Sequence, residues 1–154
     1  MSEIIVRTAQ PADLEALLAC EQGIVAYERQ FDDTLREGEI HYYDLKAMIL
    51  ADNVEVVVAT LDNQVVGSGY ARIEEAKDYQ KYTRFAYLGC MFVPMEHRGK
   101  GINSLVLDAL KAWCRSKGIT EIRLEVYTHN QQAIKAYEKA GFKPILTWMR
   151  MGID

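Results

Sequence analysis

The sequence predicts a mixed α/β (α+β) domain, a central sheet of about six to seven strands flanked by about four helices. Three observations carry that reading. Short apolar stretches with strand-like alternation are separated by polar turns. At Gly101 the apolar period changes to helical, with Ile102, Leu105, Val106, Ala109, Leu110 and Trp113 on one stripe. Beyond Gly118 a strand and a helix follow each other again. The 154 residues fit one domain over 1–154.

Element by element, Ile4 and Val6 alternate with Ile5 and Arg7, as in a first strand. Pro11 suits the opening turn of a helix, where its missing N–H costs nothing. Leu14, Leu17, Leu18 and Glu21 continue at helical spacing. A second helix is expected over 39–50, with Ile40, Tyr43, Ala47 and Leu50 on one side. Val54–Thr60 and Val65–Ile73 are expected to form two strands joined by a turn at Leu61-Asp62-Asn63. After a polar loop over Glu74–Arg84, the apolar run Ala86–Val93 is long enough for a central strand. A helix from Ile102 ends at Gly118. Ile122, Leu124 and Val126 alternate with Arg123, Glu125 and Tyr127, as a strand does. Asn130 precedes a short helix over Gln131–Ala140, closed by Gly141, and a last strand is expected at Ile145–Met151.

Composition excludes several classes. A net charge of −4 argues against nucleic acid, which needs a basic surface. No apolar run approaches the ~18 residues that span a membrane. Met1-Ser2-Glu3 lacks the basic flank of a signal peptide, so a cytoplasmic protein is expected. Cys20, Cys90 and Cys114 are scattered among apolar residues without metal-ligand spacing, so no metal site is expected. The charge is uneven: between Ile24 and Asp44 six acids face only Arg29 and Arg36, which accounts for the whole −4.

The strand-to-helix turn Arg98-Gly99-Lys100-Gly101-Ile102-Asn103 carries the chemistry. A helix N-terminus offers unpaired N–H groups to an anion. Glycines let the backbone approach phosphate oxygens, and Arg98 and Lys100 add full charges. A diphosphate suits this turn. The P-loop and dinucleotide-binding spacings are both missing. Taken alone, the pattern is also compatible with a tight turn bearing solvated bases.

Arg98-x-x-Gly101-x-Asn103 resembles the Arg/Gln-x-x-Gly-x-Gly/Ala signature of the GNAT superfamily of acetyl-CoA-dependent N-acetyltransferases. Leu124-Glu125-Val126, Asn130, Ala133, Tyr137 and Gly141-Phe142 resemble its second conserved block. The similarity is strong over 87–142 and topological before that. Asn103 departs from the signature's Gly or Ala, and would either crowd the diphosphate or add a donor to it.

The resemblance implies an N-acetyltransferase that moves acetyl from acetyl-CoA to a primary amine by direct attack in a ternary complex. It implies that the diphosphate rests on the amides of Gly99, Lys100, Gly101, Ile102, Asn103 and Ser104. The pantetheine arm would run beside Met91, Phe92 and Val93, with Asn130 touching the cofactor. Tyr137 corresponds to the acid that protonates the departing thiolate. Glu125 is a candidate base or a structural ion-pair partner; His129, Glu74 or a water relay are alternatives. His97 is assigned to the loop surface and His41 to the acceptor region.

The segment between the first two helices borders the acceptor pocket in this superfamily. Here it holds Tyr27, Glu28, Phe31, Asp32 and Asp33, with Tyr42 and Tyr43, which suits a cationic acceptor: a polyamine, an aminosugar, or a peptide lysine or N-terminal amine. Three alternatives stand beside this reading: a solvated acidic face, a covalent route through Cys90, and a non-catalytic CoA-binding regulatory or interaction module on the same fold. The apolar last strand suggests a homodimer.

Overall fold

The computed structural model describes residues 2–154. One sheet runs in the order β1 (Ile4–Thr8), β2 (Val54–Leu61), β3 (Gln64–Glu75), β4 (Arg84–Phe92), β5 (Ile122–Arg123). The first four strands are antiparallel neighbours, and β5 joins β4 in parallel. Four helices flank it: α1 (Leu14–Glu28), α2 (Leu45–Leu50), α3 (Ile102–Ser116) and α4 (Gln131–Ala140).

Alternation along β2 decides which helix covers which face. Val57 and Ala59 point to α3 and pack with Val106, Leu107 and Leu110. Val54, Val56 and Val58 point the other way, to Leu17 of α1 and to Leu45 and Met48 of α2. The β2–β3 turn is tight because Asp62 and Asn63 both take positive φ, 51° and 65°, the geometry that matches strand twist in two-residue hairpins.

Three expectations are corrected. The second helix starts at Leu45, because the backbone before it is claimed by another partner. The N–H groups of Tyr42 and Tyr43 donate to the buried Glu21 carboxylate at 2.7 and 2.9 Å, and Asp44 caps the helix by accepting from Ala47 N–H at 3.2 Å. The strand expected over 122–127 pairs only at Ile122 and Arg123, after which it leaves β4. Ile145–Met151 forms no strand, so the sheet has five strands where about six to seven were expected. A strand needs a ladder partner for its backbone groups. This segment has none among the described residues and is drawn to the acidic turn after α1, where the Arg150 guanidinium donates to Asp32 at 2.9 Å.

Candidate active site

β4 carries one residue more than β3 opposite it. Ser68 faces Phe92 and Tyr70 faces Gly89, so a bulge falls at Cys90, where φ is +51°. A bulge re-aims the strand. Past Tyr87 and Arg123, β4 and the chain after β5 diverge with no ladder between them. The opening is a cleft of about 900 Å³ lined by both diverging segments, the start of α3, part of α4 and the C-terminal end of α1. One edge of β4 is therefore open to an extended ligand.

At one end lies the glycine turn. Gly99 and Gly101 have φ of +80° and +77°, a region that costs other residues dearly. A side chain placed at either would meet nothing within 4 Å, so the backbone surface is open. α3 begins at Ile102 without a capping side chain, leaving its leading N–H groups for a ligand. Ile102, Asn103 and Ser104 line the cleft, as do Met91, Phe92 and Val93. Arg98 braces the turn: its Nε donates to the Val93 carbonyl at 3.0 Å and its guanidinium lies 5.6 Å from the Tyr27 ring centre. Lys100 lies outside the lining, its Nζ 3.5 Å from His97 Nδ1. These residues fit a diphosphate-bearing ligand with an extended arm.

Tyr137, Asn130 and Glu125 also face the cleft. The Tyr137 ring packs edge-on to Phe142 at 5.6 Å. Burial raises the pKa of its hydroxyl, and the Asn103 side chain takes back part of that rise. Asn130 caps α4, its Oδ1 accepting from Ala133 N–H at 3.2 Å. Glu125 is exposed and makes no ion pair among the described residues. His129 shares the lining; Glu74 lies outside it, 3.6 Å from Arg72. The Cys90 thiol is buried, and burial pushes its pKa up to about 12.

The other end is aromatic and acidic. Tyr27, Glu28, Phe31 and Asp32 line it with Tyr42, Tyr43 and Tyr127. Phe31 stacks on Tyr127 at 5.9 Å and meets Tyr27 edge-on at 5.5 Å. Asp33 stands outside the lining, its side chain 97% exposed. Asp32 is fully engaged, accepting from Arg150, from the hydroxyls of Thr34 and Tyr127, and from Thr34 N–H. Those donors, Arg150 first, hold its carboxyl well below the usual range. Glu28 has no such set. Burial raises its pKa, the Tyr42 hydroxyl beside it lowers it somewhat, and the Asp32 charge raises it again.

Sequence reasoning missed Glu21, Tyr127, Trp148 and Arg150. Tyr127 was reachable through its alternation with Val126. Glu21 lies on the apolar stripe of α1, the position of a core side chain, and no local pattern shows its partners. His41 supports Glu21, with Nδ1 2.8 Å from its carboxylate.

Residues 19–142 match the model of the Acetyltransferase (GNAT) family. The chain belongs to the GNAT acetyltransferase family. Among curated GNAT relatives, the uncharacterized N-acetyltransferase YycN of Bacillus subtilis is 36% identical over 75 residues, 49% of this chain and 47% of that protein. The chain thus spans about half the length of that relative. Aminoglycoside N(6')-acetyltransferase type 1 of Stenotrophomonas maltophilia is 26% identical over 97% of this chain and 94% of its own. The fold matches solved structures. The tetramutant of the BH1408 protein from Bacillus halodurans has a TM-score of 0.84 at 17% identity, covering 97% of this chain and 99% of that one. A "predicted acetyltransferase with acetyl-CoA" from Clostridium acetobutylicum has a TM-score of 0.72 at 18% identity, covering 97% and 96%. No described helix is long and apolar enough to cross a membrane.

Proposed function

We propose that this GNAT chain transfers acetyl from acetyl-CoA to a primary amine by direct attack in a ternary complex. The observation that carries the reading is the splayed β4–β5 opening with the uncapped start of α3 and its glycine turn at one end. The turn's amides and the α3 N-terminus would hold the diphosphate, and the open edge of β4 would pair with the pantetheine arm. That acetyl-CoA accompanies a similarly folded chain supports this assignment.

In this reading a β4 amide near the bulge stabilises the oxygen charge that develops on the thioester. Tyr137 then protonates the departing thiolate. Phenol and thiol have reference pKa values of about 10 and 8.5, close enough for such a transfer. A covalent route through Cys90 is disfavoured because its raised pKa leaves little thiolate. The acceptor would enter at the end lined by Tyr27, Glu28, Phe31 and Asp32, whose rings and carboxylates suit an ammonium. A homodimer is part of the proposal: Ile145, Leu146, Trp148, Met149, Met151 and Ile153 are 77–90% exposed, and β5, last in the sheet, pairs only with β4 among the described residues.

Calorimetry with acetyl-CoA, and with free CoA beside it, tests the cofactor site. Saturable binding is expected; no binding of either ligand would reduce the chain to an interaction domain. Tyr137→Phe separates the enzyme from a non-catalytic CoA-binding module. Thiol release should fall roughly 10²–10⁴-fold while acetyl-CoA affinity stays near that of the parent chain.

A further inference from the structure

Glu28 and Tyr42 stand apart from the other polar groups at the acceptor end. Tyr42 Oη is buried and makes no hydrogen bond of good geometry among the described residues, although the Glu28 carboxyl lies beside it, and leaving such a group unsatisfied is costly. The neighbouring Asp32 cannot serve it, being occupied by Arg150, Thr34 and Tyr127. Glu28 lies at the end of α1 and lines the cleft. Tyr42, Tyr43 and Tyr127 line the same cleft; burial raises the pKa of all three hydroxyls, and the Glu28 charge adds to each rise. Tyr43 in turn accepts the Cys90 N–H at 3.3 Å. Glu28 thus lines the same cleft as Cys90, the residue at the bulge of β4. Glu125 differs in being exposed; at Tyr87, whose hydroxyl is raised first by burial, its charge adds to the rise.

We propose that Glu28 receives the acceptor's ammonium and takes its proton, with Tyr42 Oη as the second group that holds the nitrogen. The inference rests on the acetyltransferase reading above and names its base. The Glu28 carboxylate removes one proton from the ammonium and becomes a carboxylic acid. The freed lone pair forms the C–N bond to the acetyl carbon as the C–S bond breaks. The thiolate takes the Tyr137 proton. The second proton lost by the nitrogen returns to Tyr137 through solvent, and Glu28 releases its own to water. Ammonium and thioester thus give amide, thiol and one proton. The groups facing Glu28 are Tyr42 and Tyr43 before α2, Asp32 with its partner Arg150, and Tyr127 after β5. A carboxyl raised by burial places the acid limb of kcat/KM above the ordinary glutamate value of about 4.3.

The test is thiol release from acetyl-CoA with 1,5-diaminopentane, followed across pH in the parent chain, Glu28→Gln, Glu28→Ala and Tyr42→Phe. The expected result is a loss in kcat on the order of 100-fold for Glu28→Gln, disappearance of the acid limb, and an unchanged acetyl-CoA Kd. Formate should restore part of the Glu28→Ala rate, and Tyr42→Phe should raise KM more than it lowers kcat. A Glu28→Gln variant that keeps the parent rate and acid limb would overturn the proposal. So would a parent chain that binds acetyl-CoA but neither acetylates the diamine nor shows a diamine-induced change in the Glu28 carboxyl NMR signal. Absence of acetyl-CoA binding would bring down the acetyltransferase reading itself.

Discussion

Asn103 is the residue at which this chain departs from the family signature, and its side chain reaches Tyr137. Burial raises the Tyr137 pKa, and Asn103, by favouring the ionised phenol, offsets part of that rise. Asn103→Ala should therefore move the alkaline limb of kcat to higher pH, as a pH–rate profile would show. Glu21 works at a distance from the chemistry: fully buried, it accepts the N–H groups of Tyr42 and Tyr43 and holds both rings at the cleft. Glu21→Ala leaves these amides without their acceptor and should cost about 3 kcal/mol in urea unfolding. Its partner His41 is raised, by Glu21 first and then by Glu39. A raised folded pKa means that this contribution is complete below the unfolded value of about 6.5. It is lost as pH rises through the folded value. His41→Ala should remove that pH-dependent part of the stability curve.

At the scale of elements, α1 lies close against the end of β4 because residue 23 is glycine. A Cβ there would run into Cζ of the Phe92 ring, closer than real contacts allow. Gly23→Ala must move that ring, which lines the cleft. A loss of roughly 1–3 kcal/mol in stability is expected, with weaker acetyl-CoA binding measured by calorimetry. The bulge in β4 and the early departure of β5 act together. One turns the strand and the other removes its neighbour, so backbone groups that a regular sheet would consume face the cleft instead.

For the molecule as a whole, the open question of energetics is the tail after α4. Its large apolar side chains stand in water, and large exposed apolar patches mark interaction sites. Light scattering should report a dimer. Thr147→Pro, which removes a backbone N–H from the middle of the tail, should shift it to monomer. A parent chain that is monomeric at all concentrations would rule the dimer out.

Much of this molecule was legible in local pattern. The glycine turn, α3, α4, the Asp62-Asn63 hairpin and the alternation of β2 all follow from neighbours in sequence, because capping, turn geometry and amphipathic period act over a few residues. The Arg98–Ser104 turn was read the same way, whereas Tyr137 and Asn130 were named through the family resemblance; both line the cleft. What local pattern does not reach is partnership across the fold. The second helix starts late because Glu21, some twenty residues earlier, takes the backbone that would have extended it. Asp32 loses its freedom to Arg150 from the far end of the chain, while Glu28 keeps its own. Sequence determined that an acidic, aromatic segment borders the site. Tertiary structure decided which carboxylate remains available there, because availability depends on partners that only folding brings within hydrogen-bond reach.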